Sequence, residues 1–153
     1  MGGITILLNK SGYSKGDEVE AAISVDLDKP IKARGIVATL IGVQQNKTTH
    51  TRHIPQAEIE EKRKLGVYTD VPYTQETKVE QRVIFKQDKL VAGDGTFQKG
   101  EYKVSIRLPA DAPPTSLEFG HDNQMNTWKL NVKLDIPFAL DINASHDVFV
   151  GGL

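Results

Sequence analysis

Two histidines three residues apart, His50 and His53 in THTRH, precede Glu58, Glu60 and Glu61. Neutral imidazoles together with carboxylates make a donor set for a divalent cation. Three-residue spacing brings both rings to one side only on a helix, and Thr48, Thr49 and Thr51 favour extended chain, so solvated loop histidines are the plainer reading. His121 and Asp122, with Ser116 close in sequence, have the residue types of an acid–base pair beside a hydroxyl nucleophile. That chemistry needs an oriented base and an oxyanion site; no G-x-S-x-G turn is present, and a polar hairpin is the expectation. His146 stands with Asp141 and Asp147 in LDINASHDVFV, which reads as a solvated chain end. Gly93-Asp94-Gly95 is too short to cradle a phosphate, neither GxGxxG nor the P-loop pattern occurs, and the three residues read as a hairpin turn. The absence of cysteine removes disulfides, thiolate nucleophiles and Cys-based zinc sites. The expectation is no catalytic residue, no metal and no cofactor, with a metal-binding or hydrolytic role for His50 and His53 as the least favoured reading.

The elements that would have to position such residues follow from hydrophobic periodicity. In EVEAAISVDL the apolar side chains fall at Val19, Ala21, Ile23, Val25 and Leu27, with polar residues at most positions between, which is the pattern of a half-buried strand. EYKVSIRL (Tyr102, Val104, Ile106, Leu108) and TWKLNVKLDI (Trp128, Leu130, Val132, Leu134, Ile136) repeat it, and Trp128 falls on the inward parity, as a core residue. ITILL is a shorter strand, and SGYSKGD supplies the turn that pairs it with the next. In IKARGIVATLIGV both parities become apolar after Gly35, which predicts a glycine-marked bulge or a central strand covered on both faces. VEQRVIFKQDKLV, residues 79–91, is a further strand.

Residues 46–76 carry no sustained period of two and are rich in Thr and charge. They read as a long loop, with PQAEIEEKRKLG offering a short helix at 56–65. Residues 108–120, LPADAPPTSLEFG, place three of the chain's seven prolines in six positions. Proline lacks the N–H a central ladder needs, so this stretch ends one strand and fixes an extended crossing. At least six strands without intervening helices predict an all-β protein, an immunoglobulin-like antiparallel β-sandwich in one domain over residues 1–153. Nineteen basic and twenty acidic side chains give a net charge of −1, so no global field draws nucleic acid or anionic lipid. No signal-like N-terminus and no apolar run of about 20 residues is present, which predicts a cytoplasmic protein with no integral membrane segment.

With the strands in order, NKSGYSKGDEVEAAISVDLDKPIKARGIVATLIGVQQ resembles the opening of arrestin-fold N-terminal domains. There a Tyr-x-x-Gly-Asp turn (Tyr13, Gly16, Asp17) starts one strand and Lys-Pro-Ile-Lys-Ala-Arg-Gly-Ile (Lys29 to Ile36) the next. KGEYKVSIRLPADAPPTSLEF followed by WKLNVKLDIP resembles that family's Gly-x-Tyr strand, proline crossing and final strand. The likeness spans nearly the whole chain and is nearest to the microbial arrestin-like proteins, which include the sporulation-control family and relatives of the retromer arrestin-like subunit.

The resemblance implies a single arrestin-type lobe acting as a non-enzymatic adaptor or scaffold for a protein or peptide partner. Residues 46–76 lie where receptor-binding members carry their partner-inserting loop, and Arg52, His53, Tyr68 and Tyr73 are its best contact types. Receptor-regulating arrestins sense phosphate through paired lysines in the first strand, where this chain has Lys10, with Lys15 nearby. Full arrestins have two lobes; one alone leaves sheet surface bare, which makes self-association as a homodimer or larger homo-oligomer the alternative.

Overall fold

The structure, a computed structural model, describes residues 2–53, 73–120 and 122–151, with backbone alone for 50–53 and 73–75. Among the described residues seven strands follow in order: β1 (Gly3–Leu8), β2 (Glu18–Ala33), β3 (Gly35–His53), β4 (Tyr73–Ala92), β5 (Gly95–Arg107), β6 (Gln124–Asp135) and β7 (Ile142–Val148). They form a three-stranded sheet, β1-β2-β5, and a four-stranded sheet, β4-β3-β6-β7, with every strand pair antiparallel. The all-β sandwich read from the sequence is the fold observed.

Alternation explains the core. β2 buries Val19, Ala21, Ile23, Val25 and Leu27 and β6 buries Trp128, Leu130, Val132 and Leu134, the parities the sequence assigned. These faces meet between the sheets, while Glu18, Glu20 and Asp26 on β2 point to water. Ile36, Ala38 and Leu40 of β3 complete the interior. The two-sided apolar character of β3 belongs to a central strand flanked by β4 and β6, and Val37 and Ile41 on its other face remain half-exposed. The bulge near Gly35 is present as well: the register against β4 shifts between Ile36 and Val37. A Cβ at Gly35 would stand 2.5 Å from the Ala92 carbonyl oxygen, so the close approach of the two strands requires glycine there.

Three connections pass from one sheet to the other, and each is marked chemically. Arg34 links β2 to β3. Gly93 and Asp94 link β4 to β5; since these strands lie in different sheets, the segment is a corner between sheets rather than the expected hairpin turn. The third crossing, from β5 to β6, is the proline stretch. Its backbone is fastened on both sides: the Ala112 amide donates to the Pro109 carbonyl, Thr115 N–H to the Val150 carbonyl, and Ser116 N–H to the Asn126 carbonyl. The Tyr-x-x-Gly-Asp turn docks on the same crossing, because Gly16 N–H donates to the Pro109 carbonyl at 3.0 Å and Leu108 N–H to the Asp17 carbonyl at 2.8 Å. Gly16 has φ +81°, the left-handed conformation that glycine adopts without a Cβ penalty.

Three further segments differ from expectation. Lys29 to Ala33 do not open a new strand; they are the second half of β2, which shifts register against β5 between Asp26 and Ile31, beside Pro30. Residues 142–150 are not a solvated end: 142–148 form β7, and Val148 and Val150 are buried in the core. The long loop expected at 46–76 is shortened from both sides, since 46–53 belong to β3 and 73–76 to β4. The helix expected at 56–65 lies outside the described residues.

Candidate functional site

β3 and β4 run far beyond the sandwich. β6 accompanies β3 only as far as the pair Asn46↔Gln124, whereas β3 and β4 stay paired through seven further positions, Lys47↔Val79 to His53↔Tyr73. At about 3.4 Å per residue this two-stranded ribbon reaches roughly 24 Å past the four-stranded sheet. An isolated two-stranded hairpin is marginal in water, so the ribbon depends on its root.

The root is built around Trp128. Its indole N–H donates to the Pro113 carbonyl at 2.9 Å, tying it to the proline crossing. Its ring lies 5.9 Å from that of Phe85 on β4 and covers Gly42 on β3 so closely that a Cβ there would come within 2.7 Å of it. Beside it, between Gly42 and Val43, the register against β4 shifts. Bulges bend a strand pair and raise its twist, and the residue inserted here is Ile84 of β4.

Past the bulge the inward parity turns polar. Gln44 donates from Nε2 to Asn126 Oδ1 at 3.3 Å and accepts from Arg82 at 2.9 Å, forming a three-strand rung where the core ends. Thr48 Oγ1 donates to the Lys78 carbonyl, Thr49 and Thr77 hydroxyls meet at 3.3 Å across the ribbon, and Lys78 and Glu80 pair at 3.2 Å along β4. Threonine favours strand through its β-branch and cross-strand hydroxyl contacts, so the ribbon forms without a buried face.

Of the residues singled out from sequence, Arg52 and His53 are the last two of β3 and Tyr73 the first of β4, paired as His53↔Tyr73 and Arg52↔Thr74 at the far end of the ribbon. Tyr68 lies outside the described residues. Lys10 is elsewhere: it follows β1 in the other sheet, with Nζ 4.0 Å from Asp17 and 5.8 Å from the Tyr13 ring centroid. The structure thus brings Arg52, His53 and Tyr73 to one end and leaves Lys10 apart. Sequence reasoning placed Arg52, His53 and Tyr73 in a loop and did not foresee the ribbon; its signal was the run of Thr48, Thr49 and Thr51, of which Thr49 stands opposite Thr77.

Ser116, Asp122 and His146 are occupied by structural bonds. His50 and His53 lie in strand, so the helical spacing that would join them is not adopted. Ser116 Oγ accepts from the Asn126 amide, Asp122 Oδ1 accepts from Gln124 N–H, and His121 lies outside the described residues. His146 Nδ1 lies 2.7 Å from the Asp147 carbonyl on the exposed edge strand β7. Among the described residues no three His, Asp or Glu side chains converge as a cation site. A shallow groove of about 440 Å³ on the outer face of the three-stranded sheet is lined by Leu7, Ala22, Glu20 and Lys103, among others, without a histidine. Burial raises the Tyr13 phenol above its ordinary value, opposed by the Lys10 backbone, while its O–H donates to Asn9 Oδ1 at 2.6 Å.

Comparison with known proteins agrees with this architecture. The family model "Arrestin (or S-antigen), C-terminal domain" matches residues 3–151. The motifs of the sequence resemble the N-terminal domain and the matching model is that of the C-terminal one; both are readings of an arrestin lobe. Arrestin domain-containing protein A of Dictyostelium discoideum is 26% identical over 148 residues, 95% of this chain and 24% of the relative. The crystal structure of Spo0M, a sporulation control protein from Bacillus subtilis, superposes with a TM-score of 0.61 at 17% identity, covering 99% of this chain and 50% of that one. The chain therefore spans about a quarter of the curated relative and half of the solved structure. With the family model covering almost all of its length, the chain belongs to the arrestin family.

Proposed function

We propose that this chain is a non-enzymatic adaptor of the arrestin family that engages a protein or peptide partner through the far end of the β3–β4 ribbon. The supporting observation is that ribbon: strands paired for seven positions beyond the sheet, carrying Arg52, His53 and Tyr73 at their end. A rigid sandwich bearing a projecting connection is the usual arrangement for recognition, and Arg and Tyr concentrate contact energy. Balanced charge and the lack, among the described residues, of a helix able to cross a membrane accord with a cytoplasmic role.

The test is the affinity of a captured partner for the chain and for the triple variant Arg52→Ala, Tyr68→Ala, Tyr73→Ala, with Lys103→Ala on the other sheet as control. A loss of about tenfold or more, about 1.4 kcal/mol, is expected for the triple variant alone. Equal binding by all three proteins would remove the ribbon from the interface. A second reading, self-assembly, is favoured by a separate observation: the outer edge of β4 is joined to no other strand among the described residues.

A further inference from the structure

Among the described residues β4, Tyr73–Ala92, is the outer strand of its sheet. An unpaired strand edge is a row of free donors and acceptors, and whatever joins it must also match its side chains. From Tyr73 to Val83 its register against β3 is unbroken, and the first irregularity falls at Ile84. Within that regular segment, period two puts Glu76, Lys78, Glu80 and Arg82 on one face and Thr77, Val79, Gln81 and Val83 on the other.

The charges alternate in sign at every second residue, which gives the segment a mirror-like order about Val79. A second copy laid antiparallel about that residue sets Val79 opposite Val79, Lys78 opposite Glu80, Glu76 opposite Arg82 and Thr77 opposite Gln81. Because the arrangement is two-fold, each unlike-charge pair occurs twice. Moving the axis by one residue destroys the match. Centred on Lys78, that lysine faces itself and Glu76 faces Glu80; centred on Glu80, that glutamate faces itself and Lys78 faces Arg82. Like charges directly opposite each other oppose pairing. The next matched registers, centred on Gln81 and on Thr77, would set Lys78 against the irregular position Ile84 and Glu80 against Thr74, each leaving a charge without an opposite partner. Val79 and Val83 are 49% and 58% exposed, so the face opposite the charges still has apolar surface to bury.

We propose that residues 75–83 of β4 are a self-recognition edge: two copies of this chain pair antiparallel about Val79, joining two four-stranded sheets into one continuous sheet. The proposal rests on the self-assembly reading and specifies its register. The ribbon ends then lie on opposite sides of the axis, with Tyr73 of each copy opposite Phe85 of the other.

The experiment uses the full chain, whose lack of cysteine makes single thiols unambiguous. Sedimentation should show a concentration-dependent dimer. The variants Glu76→Lys/Glu80→Lys and Lys78→Glu/Arg82→Glu should each dimerise at least about tenfold more weakly, and an equimolar mixture should recover the wild-type dimer, because every facing pair is again of unlike charge. Under mild oxidation Val79→Cys should form a disulfide-linked dimer and Gln81→Cys should not. A dimer that crosslinks through Gln81→Cys in place of Val79→Cys, or variants that fail to recover on mixing, would overturn the register while leaving self-assembly in place. A monomer at all concentrations would overturn both.

Discussion

The strand β3 passes through two environments, and its halves differ in what holds them. From Gly35 to Val43 it is the centre of a four-stranded sheet, with Ile36, Ala38 and Leu40 buried against the facing sheet. From Thr48 to His53 its one paired neighbour among the described residues is β4. The first half is fixed by apolar area removed from water; the second inherits its register from the first and is maintained by hydroxyl contacts and ion pairs of small individual worth. Strand geometry can thus be exported from a core to a segment that could not sustain it alone.

The largest expected effect tests the core half. Trp128→Ala removes a buried indole and its bond to Pro113, and should cost about 3–5 kcal/mol in urea unfolding, with the ribbon amides losing hydrogen-exchange protection as well. A loss under about 1 kcal/mol would mean the ribbon root does not depend on Trp128. Gly42→Ala acts at the junction. Its methyl meets a ring held on several sides, so overpacking should cost about 1–3 kcal/mol, measured the same way; no loss would show that the bulge yields freely.

Alkaline titration probes the body at its clasp. Burial holds the Tyr13 phenol above its ordinary value of 10.0, so the unfolded chain ionises first and binds fewer protons than the folded one there. Stability from this group is complete below about pH 10 and falls as pH rises beyond it. Tyr13→Phe should flatten that fall and cost about 1 kcal/mol at neutral pH through the lost bond to Asn9; an unchanged alkaline limb would assign it to other groups. The smallest effect belongs to the ribbon: Thr49→Ala with Thr77→Ala should change global stability by less than about 0.5 kcal/mol while speeding amide exchange from Lys47 to His53. A global loss above 1 kcal/mol would show that the ribbon is part of the cooperative unit.

The same contrast explains what could be read from the chain. Burial writes itself as alternation, so residues 18–27 of β2, 101–107 of β5 and 127–135 of β6 were legible, and proline chemistry marked the crossing between sheets. The ribbon was not, because both of its faces are polar and period two has no apolar signal to carry. Residues 142–150 were misread for a related reason: polar and charged residues at 143, 145, 146 and 147 mask a strand whose end, Val148 and Val150, is buried. The Gly93–Asp94 corner looked like a hairpin because turn chemistry reports a reversal of direction and not which sheet receives the next strand. Arg52, His53 and Tyr73 were named for their contact chemistry; that they share one end of a paired ribbon follows from the register, which spacing alone does not state.

Tyr13 and Val150 form a parallel bridge, with the Tyr13 amide donating to the Phe149 carbonyl and the Gly151 amide to the Tyr13 carbonyl. One side of this seam emerges from the ribosome early and the other only after every strand has been made. Val148 and Val150 are made after the apolar faces of β2 and β6, so those faces exist before the segment that seals them. The interval between those two events is when a chaperone, or a wrong neighbour, has its opportunity.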